Sequence, residues 1–211
     1  MLDVGCGNGY STNVFAKEIR HSTFTGVDYS APMIAQAQDR LRNKPLRNLS
    51  FEVANVLDLY ALKRKYDIVI SERCLINLKD WDDQRKALVQ IKGILNPGGK
   101  LILVENTQEG LDNLNKLRLS VGLHKIETRW HNSYLPQREF MSYARKNFTI
   151  QHVENIGNLY YIISRVVYAK IAQMEGREPV YGHPINEIAA KLPSLPTYNY
   201  SPNYMFILRN Q

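Results

Sequence analysis

The sequence predicts an α/β protein, doubly wound around a mostly parallel sheet. Three observations point there. Short apolar runs alternate with amphipathic ones through the first half, the run Tyr66-Asp67-Ile68-Val69-Ile70 lacks a polar face, and the first run ends in a glycine-rich turn. Strands spaced by helices require crossover connections and therefore parallel neighbours. A strand without clean alternation suits a position covered on both faces.

Taken in order, Leu2 to Val4 reads as the end of a strand. Ser11 to Arg20 reads as a helix with Val14, Phe15 and Ile19 on its buried side. Thr23 to Val27 is a β-branched strand that ends at Asp28. Ser30 then serves as an N-cap, with Pro32 in the first turn of a helix running to about Arg42. Leu49 to Val53 and Tyr66 to Ile70 are the third and fourth strands. Trp81, Leu88, Ile91 and Leu95 share one stripe of a helix, which Asn96-Pro97-Gly98-Gly99 stops before a fifth strand, Lys100 to Glu105.

The second half is less regular. Leu111, Leu114, Leu117 and Val121 form a helical stripe, followed by a polar-aromatic run from His124 to Tyr134. A helix is expected over Phe140 to Arg145, a sixth strand near 148–153, and an apolar helix over Leu159 to Met174. A Pro- and Tyr-rich stretch, Pro193 to Pro202, precedes a last strand beginning at Tyr204. The expected organisation is a cofactor-binding half over 1–106, an α-rich substrate cap over 107–203, and a closing strand over 204–211.

Composition narrows the partners. At 44% hydrophobic and 22% charged, 211 residues suffice for a sizeable core. The formal charge of +7 is scattered, and its densest run, Lys63-Arg64-Lys65, is not interleaved with aromatics, so nucleic acid is disfavoured as a partner. Cys6 and Cys74 have neither disulfide-framework nor metal-ligand spacing, so no metal is expected and a reducing, cytoplasmic setting fits best. The apolar stretch Leu159 to Ile171 is too short and too polar to span a bilayer.

A glycine turn between a first strand and a first helix lets a ligand approach the backbone at a helix N-terminus. A dinucleotide site would place its third glycine at residue 10, where Tyr10 stands; here the glycines are Gly5, Gly7 and Gly9, preceded by Asp3. That spacing suits a ligand without a pyrophosphate. A second acid, Asp28, closes the second strand in position to accept both hydroxyls of a ribose.

The stretch Leu2-Asp3-Val4-Gly5-Cys6-Gly7-Asn8-Gly9 resembles the first motif of the class I S-adenosylmethionine-dependent methyltransferases. Gly26-Val27-Asp28-Tyr29-Ser30 with Met33 is similar to the second. Phe51 to Val56, Tyr66 to Ser71, and Leu95 to Leu101 resemble the later ones, although Asn55 stands where Asp is usual. The resemblance covers residues 1 to about 106 and implies a seven-stranded Rossmann-like sheet, here with a shortened first strand. It also implies S-adenosylmethionine as cofactor, with Gly5, Cys6, Gly7 and Gly9 under its methionyl part and Asp3 orienting the loop. Asp28 would take the ribose, Tyr29 and Met33 would flank the adenine, and Asn55 and Val56 would meet its edge, with Ser71 alongside. The shortened strand leads us to expect weakened cofactor affinity, or completion of the site by the cap or by a partner chain, as in a homo-oligomer.

Methyl transfer from a sulfonium needs alignment and, for an acceptor of high pKa, a base. An acceptor beyond the carboxyl ends of the strands would meet Arg73, Asn77 and Asn106, with Arg118, Arg129, Tyr134 and Arg165 from the cap. Relatives often carry His near Asn77; the candidates for a base are therefore His131, His124 and Glu72. Arginines and a tyrosine-rich cap favour O-methylation of a small anionic or sugar-like molecule. An RNA or protein methyltransferase and a non-catalytic cofactor binder are the other two readings.

Overall fold

β1 (Leu2–Val4), β2 (Phe24–Asp28), β3 (Leu49–Val53), β4 (Tyr66–Glu72), β5 (Leu95–Asn106), β6 (Phe148–Asn155) and β7 (Asn203–Asn210) form a single sheet. The computed structural model describes residues 1–195 and 198–211; Pro196 and Thr197, in the expected Pro- and Tyr-rich stretch, lie outside the described residues. Strand order is β3-β2-β1-β4-β5-β7-β6. The first five strands pair in parallel, and β7 inserts antiparallel between β5 and β6. The Rossmann-like expectation holds.

β1 is three residues long yet fully paired on both edges. Leu2 lies opposite Thr25 on one side and Val69 on the other. Its entry is held by the terminal amine, which donates to the Thr23 carbonyl (2.7 Å), and by Thr25 N–H donating to the Met1 carbonyl (3.0 Å). From β1 the chain winds to β2 on one side and later returns to β4 on the other. That reversal opens a crevice at the carboxyl ends of the central strands, the place where open α/β sheets bind ligands.

The helices supply the flanking layers. α2 (Ala31–Asn43) begins at Ser30, whose hydroxyl accepts from Met33 N–H, and α3 (Trp81–Ile94) begins at Asp80, whose carboxylate accepts from Asp83 N–H. The larger core joins Leu2, Val69, Leu101 and Phe206 of the sheet to Leu88 and Ile91 of α3. It also takes in Phe140 and Ala144 of α5 (Gln137–Asn147), so this helix of the second half packs on the same sheet. A smaller core, Ala16, Phe24, Ile34, Ala37, Leu49 and Phe51, lies under α1 (Tyr10–Glu18) and α2.

Three local expectations change. α1 buries Thr12, Asn13 and Ala16, while Val14 and Ile19 are 41% and 44% exposed. The Thr12 hydroxyl donates to the Asp3 carboxylate (2.5 Å), and that buried pair fixes the rotation of the helix against its apolar pattern. The fifth strand starts earlier than expected, at Leu95, and the Asn96–Gly99 turn bulges out of its ladder with β4, where pairing jumps from Tyr66 opposite Leu95 to Ile68 opposite Lys100. The expected apolar helix is interrupted, as α6 (Asn158–Ile162), a π-helical turn (Ile163–Val167) and α7 (Tyr168–Met174). A further helix, α8 (Pro184–Ala190), and α4 (Gln108–Ser120) complete the second half.

Candidate functional site

The site is built from the β1–α1 turn. Gly5, Gly7 and Gly9 all have left-handed backbone, with φ of +78°, +54° and +71°. Gly5 and Cys6 donate their amides to the Val27 carbonyl (2.8 and 3.0 Å), locking the turn to β2. The Asp28 carboxylate ties it from the other side: Oδ2 accepts from Gly7 N–H (2.9 Å), Oδ1 from Ser30 N–H (2.8 Å). Each oxygen keeps a lone pair for a ligand.

The three glycines do different work. A β-carbon on Gly5 would lie 2.7 Å from Cys74 Cβ, so the turn and the loop after β4 are in van der Waals contact. A β-carbon on Gly9 would meet the Phe51 ring at 2.5 Å, which makes Gly9 a packing position. Nothing lies within 4 Å of the same point on Gly7. Its backbone faces open space, as a ligand cradle requires.

In front of the turn is a cleft of ≈ 430 Å³, within the range of small-molecule sites. Gly5, Asp28, Tyr29, Asn55, Val56, Arg73 and Asn77, all foreseen from the sequence, line it together. Tyr29, 78% exposed, forms the rim. Asn55 Oδ1 accepts from Leu57 N–H (2.9 Å), capping the 3₁₀ turn Val56–Leu62 and leaving Nδ2 as a donor. Val4, Ala54, Leu57, Cys74 and Leu78 also line the cleft and were not singled out beforehand. Cys74 had a usable signal, since it directly follows Arg73 in the loop after a buried strand.

Asp3, Cys6, Gly7, Gly9, Met33 and Ser71, the other residues expected at the cofactor, are not among those that line this cleft. Asp3 sits behind the turn, and burial pushes its carboxyl up to about 6 against the pull of the Thr12 hydrogen bond. Burial, reinforced by nearby carboxylates, raises the Cys74 thiol to about 12 and the Cys6 thiol well above its usual range. Neither is a thiolate at neutral pH. Met33 is 42% exposed on α2, and Ser71 and Asn106 are buried at the ends of β4 and β5.

On the acceptor side, Arg73 has left-handed backbone (φ +52°) and donates its amide to the Val104 carbonyl (2.8 Å). Asn77 Nδ2 donates to the Arg73 carbonyl (2.8 Å), and Asn132 Nδ2 donates to Asn77 Oδ1 (3.3 Å), joining the cleft to the loop after α4. Burial lifts the Tyr161 hydroxyl to about 12, against the opposing charges of Arg165 and Arg73. Arg118 instead donates to the carbonyls of His124 and Arg165, spending its guanidinium on the backbone. His124, His131, Arg129 and Glu72 are exposed and outside the cleft lining, with His131 edge-on to Trp130.

Sheet order, glycine turn and strand-end acid together define a Rossmann-like domain that holds a nucleoside-bearing cofactor at its switch point. The comparisons narrow this. A family model described as a methyltransferase domain matches residues 1–162, and the chain belongs to that family, as the resemblance to the class I S-adenosylmethionine-dependent methyltransferases led us to expect. An uncharacterized methyltransferase of Mycobacterium bovis is 30% identical over 137 residues, 63% of this chain and 66% of that protein. Malonyl-[acyl-carrier protein] O-methyltransferase 1 of Ilyobacter polytropus is 28% identical over 151 residues, 71% of this chain and 53% of that protein. The chain therefore spans about half to two thirds of these curated relatives. Among solved structures, magnesium protoporphyrin IX methyltransferase from Synechocystis, crystallised with S-adenosylhomocysteine, superposes over 100% of this chain and 73% of its own with a TM-score of 0.61 at 14% identity. That likeness concerns the fold.

Proposed function

We propose that this protein transfers the methyl group of S-adenosylmethionine to an oxygen of a small anionic acceptor. The observation that carries the reading is the Asp28 carboxylate, bonded to Gly7 N–H at 2.9 Å beside the open face of Gly7. The residues present fit the cofactor. Asp28 accepts the two ribose hydroxyls with its remaining lone pairs, and the turn from Gly5 to Gly9 receives the methionyl part. Asn55 and Val56 meet the adenine edge, and Tyr29 covers it. The cofactor supplies an electrophilic methyl on a sulfonium, so the chain's own task is to hold the acceptor oxygen in line.

The acceptor class follows from what lines the cleft. Among the described residues its walls carry Arg73, which has no carboxylate partner, and no His, Lys or Glu. An acceptor oxygen that is already ionised, as in a carboxylate, needs no base, and a guanidinium orients it. His131, His124 and Glu72 are then dispensable. The charge of Arg165, felt at Tyr161 together with that of Arg73, adds to the same positive field. The relative named for O-methylation of malonyl-[acyl-carrier protein] supports oxygen as the receiving atom.

Calorimetric titration with S-adenosylhomocysteine tests the cofactor half of this reading. We expect binding by the wild type and a loss of about 1.5–3 kcal/mol, roughly 10- to 150-fold, in Asp28→Ala. An unchanged dissociation constant would falsify the ribose assignment. For the acceptor, methyl-labelled S-adenosylmethionine is offered with small carboxylates and with neutral sugars; label on the sugars alone would remove the anionic class.

A further inference from the structure

Loop 73–78 forms one wall of the cleft, and two side chains with no solvent exposure hold it from below. Glu105, at the carboxyl end of β5, is 0% exposed, and its Oε1 accepts from Leu75 N–H at 2.7 Å. The amides of Ile76 and Cys74 lie close to the same carboxyl. Gln84 of α3, also 0% exposed, donates its Nε2 to the Leu75 carbonyl (3.2 Å) and to the Ser133 carbonyl (2.7 Å). Ser133 N–H in turn donates to the Ile76 carbonyl (2.8 Å). Both backbone polar groups of Leu75 are thus bound by buried side chains from different elements.

Burying a carboxyl is costly unless it is neutral or well paired. Glu105 is only half satisfied: among the described residues Oε2 has no partner, and neither does the buried Ser71 hydroxyl on the neighbouring strand. Burial outweighs the loop amides and raises the carboxyl to about 8, so it is mostly the neutral acid at pH 7. An apolar side chain would fill that position at lower cost, yet it would leave the Leu75 amide without an acceptor. The strand position is therefore occupied at a penalty by a group whose one good bond goes to the cleft loop.

We propose that Glu105 is a positioning residue: through the Leu75 amide it sets loop 73–78, and with it the placement of Arg73, Cys74 and Asn77 between the donor and acceptor sites. The same loop carries the left-handed backbone of Arg73, a conformation that persists only where surroundings enforce it. The cap reaches this loop through Asn132 and Ser133, so one acid couples the two halves of the cleft. The inference rests on the donor-site reading only for its ligand readout.

The test compares Glu105→Gln, which keeps the acceptor oxygen, with Glu105→Leu, which removes it. Melting curves establish folding, hydrogen exchange follows amides 73–78, and calorimetry follows S-adenosylhomocysteine. We expect the Gln variant to match the wild type. The Leu variant should exchange loop amides faster and bind about tenfold or more weakly, the scale of one lost acceptor. A folded Leu variant with wild-type affinity and protection overturns the proposal, as does a Gln variant that behaves like Leu. If Glu105→Leu does not fold, Glu105→Met, which keeps most of the side-chain length without the carboxyl acceptor, is read in its place by the same criteria. Should the wild type itself not bind S-adenosylhomocysteine, the donor-site reading fails, and the exchange rates alone decide the role of Glu105.

Discussion

Gly5 and Gly7 share left-handed backbone, but only Gly5 is packed. An alanine at Gly5 meets Cys74 Cβ at 2.7 Å in addition to its strained φ, whereas an alanine at Gly7 meets nothing within 4 Å. The backbone term is about 1–2 kcal/mol for either, and overpacking adds roughly 1–3 kcal/mol at Gly5 alone. Gly5→Ala is therefore expected to unfold at clearly lower urea than Gly7→Ala. Gly7→Ala should instead weaken S-adenosylhomocysteine binding out of proportion to its stability loss, because its methyl would occupy the open space next to the amide that Asp28 binds. Equal unfolding midpoints would show that the contact with Cys74 gives way. At this scale Asp28, Asn55 and Arg73 were legible, since each follows a strand whose end the pattern located. Glu105 was visible only as the last residue of the fifth strand. Its full burial depends on loop 73–78 folding over it, which no local pattern encodes.

Among the elements, α4 offers a case where local propensity and packing oppose each other. Its N-cap, Thr107, accepts from Gly110 N–H and donates its own amide to the Pro202 carbonyl. A β-carbon on Gly110 would stand 2.3 Å from the Ser201 carbonyl oxygen and 2.9 Å from Pro202 Cα, both backbone. Alanine ordinarily gains up to about 1 kcal/mol over glycine in a helix. Here the helix and the approach to β7 must separate, so we expect Gly110→Ala to destabilise by about 1–3 kcal/mol; a gain in urea denaturation would show the segment to be pliable. Strands 1 to 5 were readable in sequence because each is apolar and bounded by turn residues. The rotation of α1 was not. There the buried Asp3–Thr12 pair outweighs the apolar spacing of Val14 and Ile19. α8 was also missed, since seven residues beginning at Pro184 carry too little periodicity to stand out.

For the molecule as a whole, two buried acids set the response to pH. Both Glu105 and Asp3 are raised, to about 8 and about 6, by burial. A raised carboxyl means that the native state keeps a proton the unfolded chain has released, so stability is highest below the unfolded values and falls as pH rises through the native ones. The wild type should thus lose stability from about pH 4 to about 8, Asp3 contributing the acid part and Glu105 continuing to about 8. Glu105→Gln should flatten the curve between about pH 6 and 8 and leave, between about pH 4 and 6, only the part of the slope that Asp3 contributes. Urea unfolding at a series of pH values measures this; an unaltered upper limb would mean that the carboxyl is ionised in the fold.

From residues alone, the mostly parallel pairing of the first five strands, the glycine turn, the acid Asp28 at the end of the second strand and, by resemblance, the methyltransferase family were legible. Those features rest on contacts within a strand, a turn or one crossover, so the local letters carry them. Tertiary structure alone decided which glycine faces open space and which pack, that Arg118 is spent on backbone carbonyls, and that Glu105 and Gln84 bind the amide and the carbonyl of one residue in the loop beside the cleft. Each depends on groups brought together from distant parts of the chain, where burial and hydrogen-bond satisfaction, rather than spacing, determine what a side chain does.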